Sequence, residues 1–261
     1  MERPSWAPPD VDVDRPSVAR VYDYQLGGSH NFAVDREAAE RVIALMPGLP
    51  ALLRANRAFL RRAVRTLVGA GVRQFLDLGS GIPTAGNVHE IAQKADPDSR
   101  VVYVDIDPVA VAHSRALLAG NEGAMVVHGD LRRPDTILAD PTVTGLLDLS
   151  EPVAVLMVAV LHFVSDADRP VDIVRRYRDI SVPGSYLVLS HAARDESVDR
   201  AAAEYAQTVN DFWLRGPDEV NALLAGYELL PPGLTSVTRW RPDPGTEPEP
   251  IPQLCAVGRK P

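Results

Sequence analysis

The chain has 261 residues, 46% of them hydrophobic and 24% charged, an ordinary globular composition with length for one or two domains and a sizeable buried core. Lys and Arg number 27 against 35 Asp and Glu, for a net charge of −8, which repels phosphate backbones and argues against a nucleic-acid partner. The lone cysteine, Cys255, excludes an intramolecular disulfide and a zinc cluster of several thiolates, so no metal site is expected.

Residues 1–16 are rich in proline and acidic side chains and read as loosely ordered. Their opening, Met-Glu-Arg-Pro-Ser-Trp, lacks the basic start and apolar stretch of a signal peptide. The longest apolar run, Val153 to Leu161, has nine residues, short of the ~20 that a membrane helix needs. A cytoplasmic protein with no membrane partner is expected. Pro16 to Asp35 mixes Tyr22, Tyr24 and Phe32 with Gly27, Gly28, His30 and Asn31, without clear periodicity, and reads as a structured loop. Helices follow over Asp35–Met46 and Pro50–Val68. The second carries Leu52, Leu53, Phe59, Leu60, Ala63, Val64, Leu67 and Val68 on one face and ends at Gly69 and Gly71. Residues 1–69 are thus an N-terminal arm and helical cap ahead of a core over 70–261, the whole forming one compact unit.

From Arg73 short apolar runs alternate with helical ones. The expected strands are Gln74–Leu78, Arg100–Val104, Ala124–His128, Val153–Leu161 and Ser185–Ser190. Helices are expected at Thr84–Ala95, Pro108–Ala119, a broken Pro134–Leu149, and Asp166–Ile180. Uniformly apolar strands in strict alternation with helices predict a doubly wound α/β sheet, mostly parallel and covered on both faces. Helices at Asp195–Trp213 and Pro217–Leu224 then lead to two strand-like pieces, Leu234–Arg239 and Leu254–Gly258. The Pro-rich loop between them makes an antiparallel pair.

Ligands of such a sheet sit at the carboxyl ends of the strands. The first strand ends in Asp77-Leu-Gly-Ser-Gly-Ile-Pro83, where Gly79 and Gly81 permit a tight turn and a close backbone approach; a plain strand-to-helix turn is the alternative. The second ends in Asp105-Ile-Asp-Pro108. Asp105 is the candidate acceptor for both hydroxyls of a ribose, whereas Asp107, directly before Pro108, reads as a helix N-cap. The third ends in Gly129-Asp130-Leu131, which offers a carboxylate to an exocyclic amine.

These residues, with the acids 28 and 25 residues apart, resemble the motif series of class I S-adenosylmethionine-dependent methyltransferases. The resemblance implies a Rossmann-like, mostly parallel seven-stranded sheet with a C-terminal antiparallel strand, and S-adenosyl-L-methionine as cofactor. In that superfamily the glycine loop approaches the methionine part, the strand-two acid holds the ribose and the strand-three acid meets the adenine amine. Carried over, the cofactor set is Asp77, Gly79, Ser80, Gly81, Asp105, Ile106, Asp130 and Leu131. Pro83 stands where many members have a third glycine, so the carboxylate end of the cofactor is held differently. The stretches Pro16–Phe32, Asn56-Arg-Ala-Phe-Leu-Arg-Arg-Ala-Val-Arg65 and Gln74–Thr84 resemble one actinobacterial S-adenosyl methyltransferase family, formerly labelled a domain of unknown function. The scarcity of lysine (Lys94 and Lys260 alone among the 27 basic residues) fits the GC-rich codon usage of such a source.

Roles outside the cofactor set stay open at this level. His162, after the fourth strand, faces the transferring methyl in many methyltransferases and is the candidate general base, or else a histidine that supports its loop. Arg57 clamps the methionyl carboxylate, or is one more exposed arginine. Tyr22, Tyr24, His30, Asn31 and Phe32 form a lid over the ligands, or a packed arm. The function expected is methyl transfer to a small-molecule acceptor. The alternative is a cofactor-binding regulatory or interaction protein without turnover. A nicotinamide dehydrogenase fits poorly, because its fingerprint needs a glycine at Thr84 and an acid about 20 residues on.

Overall fold

The computed structural model describes residues 11–83, 86–246 and 248–261. Helices α1 (Val18–Gln25), α2 (Ala33–Leu45) and α3 (Leu49–Gly69) come first. The alternating core follows as β1 (Gln74–Leu78), α4 (Val88–Ala95), β2 (Arg100–Asp105), α5 (Pro108–Leu117), β3 (Ala124–His128), α6 (Pro134–Leu138), α7 (Pro141–Leu146), β4 (Ala154–Val158), α8 (Pro170–Ile180) and β5 (Tyr186–Ala192). The chain ends with α9 (Glu196–Thr208), α10 (Pro217–Leu223), β6 (Glu228–Leu229), β7 (Thr235–Ser236) and β8 (Gln253–Arg259).

The sheet order is β3-β2-β1-β4-β5-β8-β6, with β7 added to β8. Strands β1 to β5 are parallel to one another. β8 runs antiparallel to β5, from Tyr186 opposite Arg259 to Ala192 opposite Gln253. This is the expected doubly wound sheet with its antiparallel C-terminal strand, though with eight strands among the described residues rather than seven, because the short β6 and β7 both pair with β8. Chain order reverses between β1 and β4, which opens a crevice above their carboxyl ends.

Successive residues of each strand feed opposite cores. Phe75, Val101, Ala154 and Val188 pack with Phe59, Leu60, Ala63, Val64 and Leu67 of α3. Leu76, Val102, Val155 and Leu187 pack with Ile137 of α6, Tyr177 of α8 and Val220 of α10 on the other face. α3 is therefore one of the layers that cover the sheet.

Several spans differ from the sequence expectation, each for a local reason. Residues 18–25, expected as loop, are helix α1, capped by the Ser17 side chain. Its buried face carries Arg20, Asp23 and Gln25, so it shows no apolar period. Arg20 Nε donates to Asp35 Oδ2 at 2.8 Å, and Asn31 Nδ2 donates to Asp23 Oδ2 at 2.9 Å. β4 ends at Val158 rather than Leu161, because Ala159 takes φ 58° and its N–H turns to Ser190 O at 3.1 Å. The chain continues as a 3₁₀ turn over Leu161–Phe163. Another 3₁₀ turn, Asp166–Asp168, ends at Arg169 in the left-handed region and splits off α8. The strand expected over 234–239 shrinks to Thr235–Ser236, still antiparallel to β8. α4 begins at Val88; Thr84 and Ala85, its expected start, lie outside the described residues. Among the described residues no helix is long and apolar enough to cross a membrane.

Candidate functional site

A cavity of about 770 Å³ opens at the carboxyl edge of the sheet, within the range of small-molecule and cofactor sites. All eight residues of the carried-over cofactor set line it, from Asp77, Gly79, Ser80 and Gly81 to Asp105, Ile106, Asp130 and Leu131, and so do Arg57, the candidate carboxylate clamp, and His162.

The loop after β1 is fixed by β2. Val104 O accepts the N–H groups of Gly79 (2.8 Å) and Ser80 (3.2 Å), and Asp105 Oδ2 accepts the Gly81 N–H at 2.7 Å. Gly79 (φ 71°) has no room for a side chain, since a Cβ there would stand 2.3 Å from Val160 Cγ2. Gly81 (φ 69°) is the opposite case. Nothing lies within 4 Å of its missing Cβ, so the turn presents bare backbone to open space. The Ser80 hydroxyl beside it is buried without a hydrogen-bond partner among the described residues.

The two aspartates after β2 divide as expected on one side and acquire more bonds on the other. Asp107 Oδ1 accepts the Val109 N–H at 2.7 Å and caps α5. Its other oxygen takes the Ser17 hydroxyl, which ties the arm to the cavity edge. Asp105 Oδ1 accepts the Asp107 N–H at 2.8 Å, so each oxygen of Asp105 already holds at least one main-chain donor. Burial pushes the Asp105 carboxyl up to about 6, against the main-chain N–H groups that favour its charged form. Burial likewise pushes Asp77 up to about 7; the Arg57 charge opposes the rise and Asp105 adds to it.

Ile106 is 58% exposed, an apolar face standing at the cavity without a protein partner over most of its surface. Asp130, after β3, is held in a fork by Arg132, whose Nε and Nη2 lie 3.0 and 2.7 Å from its oxygens. Burial acts to raise the Asp130 pKa, but the Arg132 bonds outweigh it and the carboxyl lies below its ordinary value. The sequence held no sign of this arginine's role beyond adjacency. Leu131 is half-buried in the wall, and its carbonyl accepts the Tyr177 hydroxyl at 3.1 Å.

His162 is buried among rings, 4.4 Å from Phe163 and 4.6 Å from Phe212 between centroids. Desolvation, with His191 and Arg215 nearby, holds its pKa well below the usual value, so the imidazole is neutral at pH 7. Its Nδ1 accepts the Ala192 N–H at 3.4 Å, which puts the ring proton on Nε2. In this tautomer Nε2 is a donor.

Of the arm residues singled out in the sequence, Tyr22 lines the cavity. Burial raises its phenol, and the Arg57 charge and the Asn56 amide act against that rise. Tyr24 bonds to Glu40, His30 stacks on His113 at 3.9 Å, and Phe32 packs under the Arg20 guanidinium at 4.8 Å. These tie the arm to α2 and α5. Lining residues that the sequence reading passed over include Asn56, Tyr205 and Phe212. Asn56 is 1% exposed, and its Oδ1 accepts the Ser190 hydroxyl at 2.7 Å. A buried asparagine inside a helix's apolar face is the one signal that was available.

Residues 4–261 match the family described as S-adenosyl methyltransferase. The chain belongs to that family. A Thermobifida fusca crystal structure, provisionally described as a methyltransferase, is 39% identical, with a TM-score of 0.94 over 98% of this chain and 99% of that one. A Streptomyces avermitilis protein of the DUF574 family is 42% identical, with a TM-score of 0.90 over 96% and 99%. An S-adenosylmethionine-dependent methyltransferase of Methanosarcina mazei, 16% identical with a TM-score of 0.51 over 72% of this chain and 92% of its own, shares the fold. No curated protein matches the chain. The cofactor of an S-adenosyl methyltransferase is S-adenosylmethionine, and the cavity's donor set suits it, with the Asp77 carboxyl of β1 and the Arg57 guanidinium of α3 on one cavity, an acid at each of the next two strand ends, and a bare glycine turn between.

Proposed function

We propose that this protein transfers the methyl group of S-adenosylmethionine to a small-molecule acceptor bound in the same cavity. The observation that carries the reading is the convergence of the glycine turn, Arg57, Asp77, Asp105 and Asp130 on one cavity of about 770 Å³. When bound, the cofactor supplies an electrophilic methyl. The chain's residues hold it. Arg57 and Asp77 complement the charges of the amino-acid end, taking the place of the third glycine that Pro83 replaces. Asp105 accepts the ribose hydroxyls, while Gly81 stays anchored to it. Ile106 and Leu131 cover the faces of the adenine, and Asp130, oriented by Arg132, accepts from its amine.

Rate in such a site comes from holding nucleophile and methyl in line at about 3 Å with water excluded. No base is needed for a nucleophile that attacks in its neutral form. His162, neutral and with its proton on Nε2, serves here as a wall and a donor to the acceptor, and proton removal is left to solvent after transfer. Calorimetry should give binding of S-adenosylmethionine and none of NADH, and incubation with a metabolite extract should release S-adenosylhomocysteine. Tight binding with no turnover across fractionated extracts would instead favour a binding protein on this scaffold. An absence of binding would reject the cofactor roles outright.

A further inference from the structure

The cavity wall away from the strand ends has a different chemistry. Between Val42 and Asn56, and again between Val198 and Leu214, the described lining residues carry one charge, Asp211, which is exposed. Met46, Leu49, Phe163, Tyr205 and Phe212 pack with one another in a cluster that joins α2 to α9. Three of its rings meet edge to face or tilted, with centroids 5.8 Å apart for Phe163–Tyr205, 5.4 Å for Phe163–Phe212 and 5.3 Å for Tyr205–Phe212. The polar groups that this region does hold are neutral. Asn56 is an amide, His162 is uncharged, and the Tyr22 phenol is raised above its ordinary value by burial.

A charged acceptor entering here would lose its hydration, and the cations at its border are already engaged, Arg20 with Asp35, Arg215 with Asp166, and Arg57 with the cofactor carboxylate in the reading above. A flat neutral ring would instead extend an aromatic cluster already arranged for edge and face contacts. We propose that the methyl acceptor is an uncharged aromatic molecule whose ring packs against Phe163, Tyr205 and Phe212. The assignment rests on the methyl-transfer reading above and names its substrate class.

The test uses the full chain saturated with S-adenosylhomocysteine and three probes of one shape, 2-naphthol, 2-naphthoate and 2-naphthylmethylammonium, followed at pH 7 by ligand-observed NMR. Naphthol should bind at least about tenfold more tightly than either ion, because each ion is desolvated without a partner. Ala202→Glu, which adds a carboxylate to the α9 side of the wall, should cost naphthol about tenfold or more and leave S-adenosylhomocysteine affinity within about twofold. Should that variant fail to fold, the three-probe comparison on the unaltered protein decides alone. An ion that binds as tightly as naphthol, a naphthol that does not bind, or naphthol affinity untouched in a folded Ala202→Glu variant overturns the acceptor class. Failure of S-adenosylhomocysteine itself to bind overturns the methyl-transfer reading, and the acceptor assignment falls with it. A bound cofactor with the wrong charge preference overturns the acceptor class alone.

Discussion

Asp105 and Asp107 stand two residues apart and do different work, and substitution should separate them. Asp105→Asn removes the charge and turns one acceptor oxygen into a donor. Cofactor affinity should therefore fall about tenfold or more, in keeping with charge-assisted bonds of about 1.5–3 kcal/mol. Because Gly81 and Asp107 both donate main-chain N–H groups to this carboxylate, the free variant should also melt lower, as one N–H loses its acceptor. Asp107→Ala loses the α5 cap, typically ~1 kcal/mol, and the Ser17 tie, with much less effect on affinity. Calorimetry and thermal melts on both variants check this; intact binding in Asp105→Asn would remove the ribose role. The pH dependence sharpens it. Buried Asp105 ionises near 6, above its unfolded value. Its contribution to stability is thus fully present below about pH 4 and is lost as pH rises through about 6. Binding runs the other way, since the ionised form accepts the ribose hydroxyls. Affinity should drop by about tenfold or more from pH 7 to pH 5, because Asp77 loses its charge over the same range, and Asp105→Asn should make that slope shallower. The capping role of Asp107 was legible in Asp105-Ile-Asp-Pro108, because a proline after the second acid marks a cap. The extra bonds to Asp105 were not, because they depend on how the glycine loop folds back over β2.

At the scale of elements, the sequence was most legible where burial is apolar, apart from the early end of β4 at Val158, and opaque where it is polar. β1 and β3 begin and end where the sequence puts them, each at least half buried in side chains that alternate between two cores. α1 escaped notice because three of its five buried positions are Arg20, Asp23 and Gln25, and Arg20 and Asp23 pair with Asp35 and Asn31 farther along the chain. That pairing predicts its weakness. Asp35 is fully buried and accepts from Arg20 Nε, from Ser17 N at 2.9 Å and from Phe32 N at 2.7 Å. Arg20→Ala leaves that carboxylate without its cation, a change that costs about 3–5 kcal/mol in buried pairs. Denaturant melts should register a loss of this size, and amide exchange should speed up across 17–25 and 33–45 before the sheet. In the unaltered protein the same arm borders the cavity at Ser17, Val18, Arg20 and Tyr22, so cofactor binding should slow exchange over 17–34. Exchange there that ignores the cofactor would leave the arm as packing alone.

For the molecule as a whole, the question is whether the arm and cap over 1–69 and the sheet over 70–261 are one unit or two. The sequence divides them at Gly69 and Gly71 by a change of pattern, helical before and alternating after. Packing crosses that division. Phe59, Leu60, Ala63, Val64 and Leu67 of α3 lie in the same core as Phe75 of β1, Ala154 of β4, Val188 of β5 and Val257 of β8. Arg62 Nε also donates to Trp240 O at 3.0 Å, far along the chain. The cavity draws its walls from both parts, with Tyr22 and Arg57 on one side and Asp77, Asp105 and Asp130 on the other. A ligand bound there stabilises both at once. Heating should accordingly produce a single transition in which calorimetric and van't Hoff enthalpies agree. S-Adenosylhomocysteine at about 100 times its Kd should add roughly 2.7 kcal/mol, moving that one transition up by on the order of 5–10 °C. If instead a first transition melts the N-terminal helices and only a second responds to the ligand, residues 1–69 are a separate module and Arg57 does not hold the cofactor.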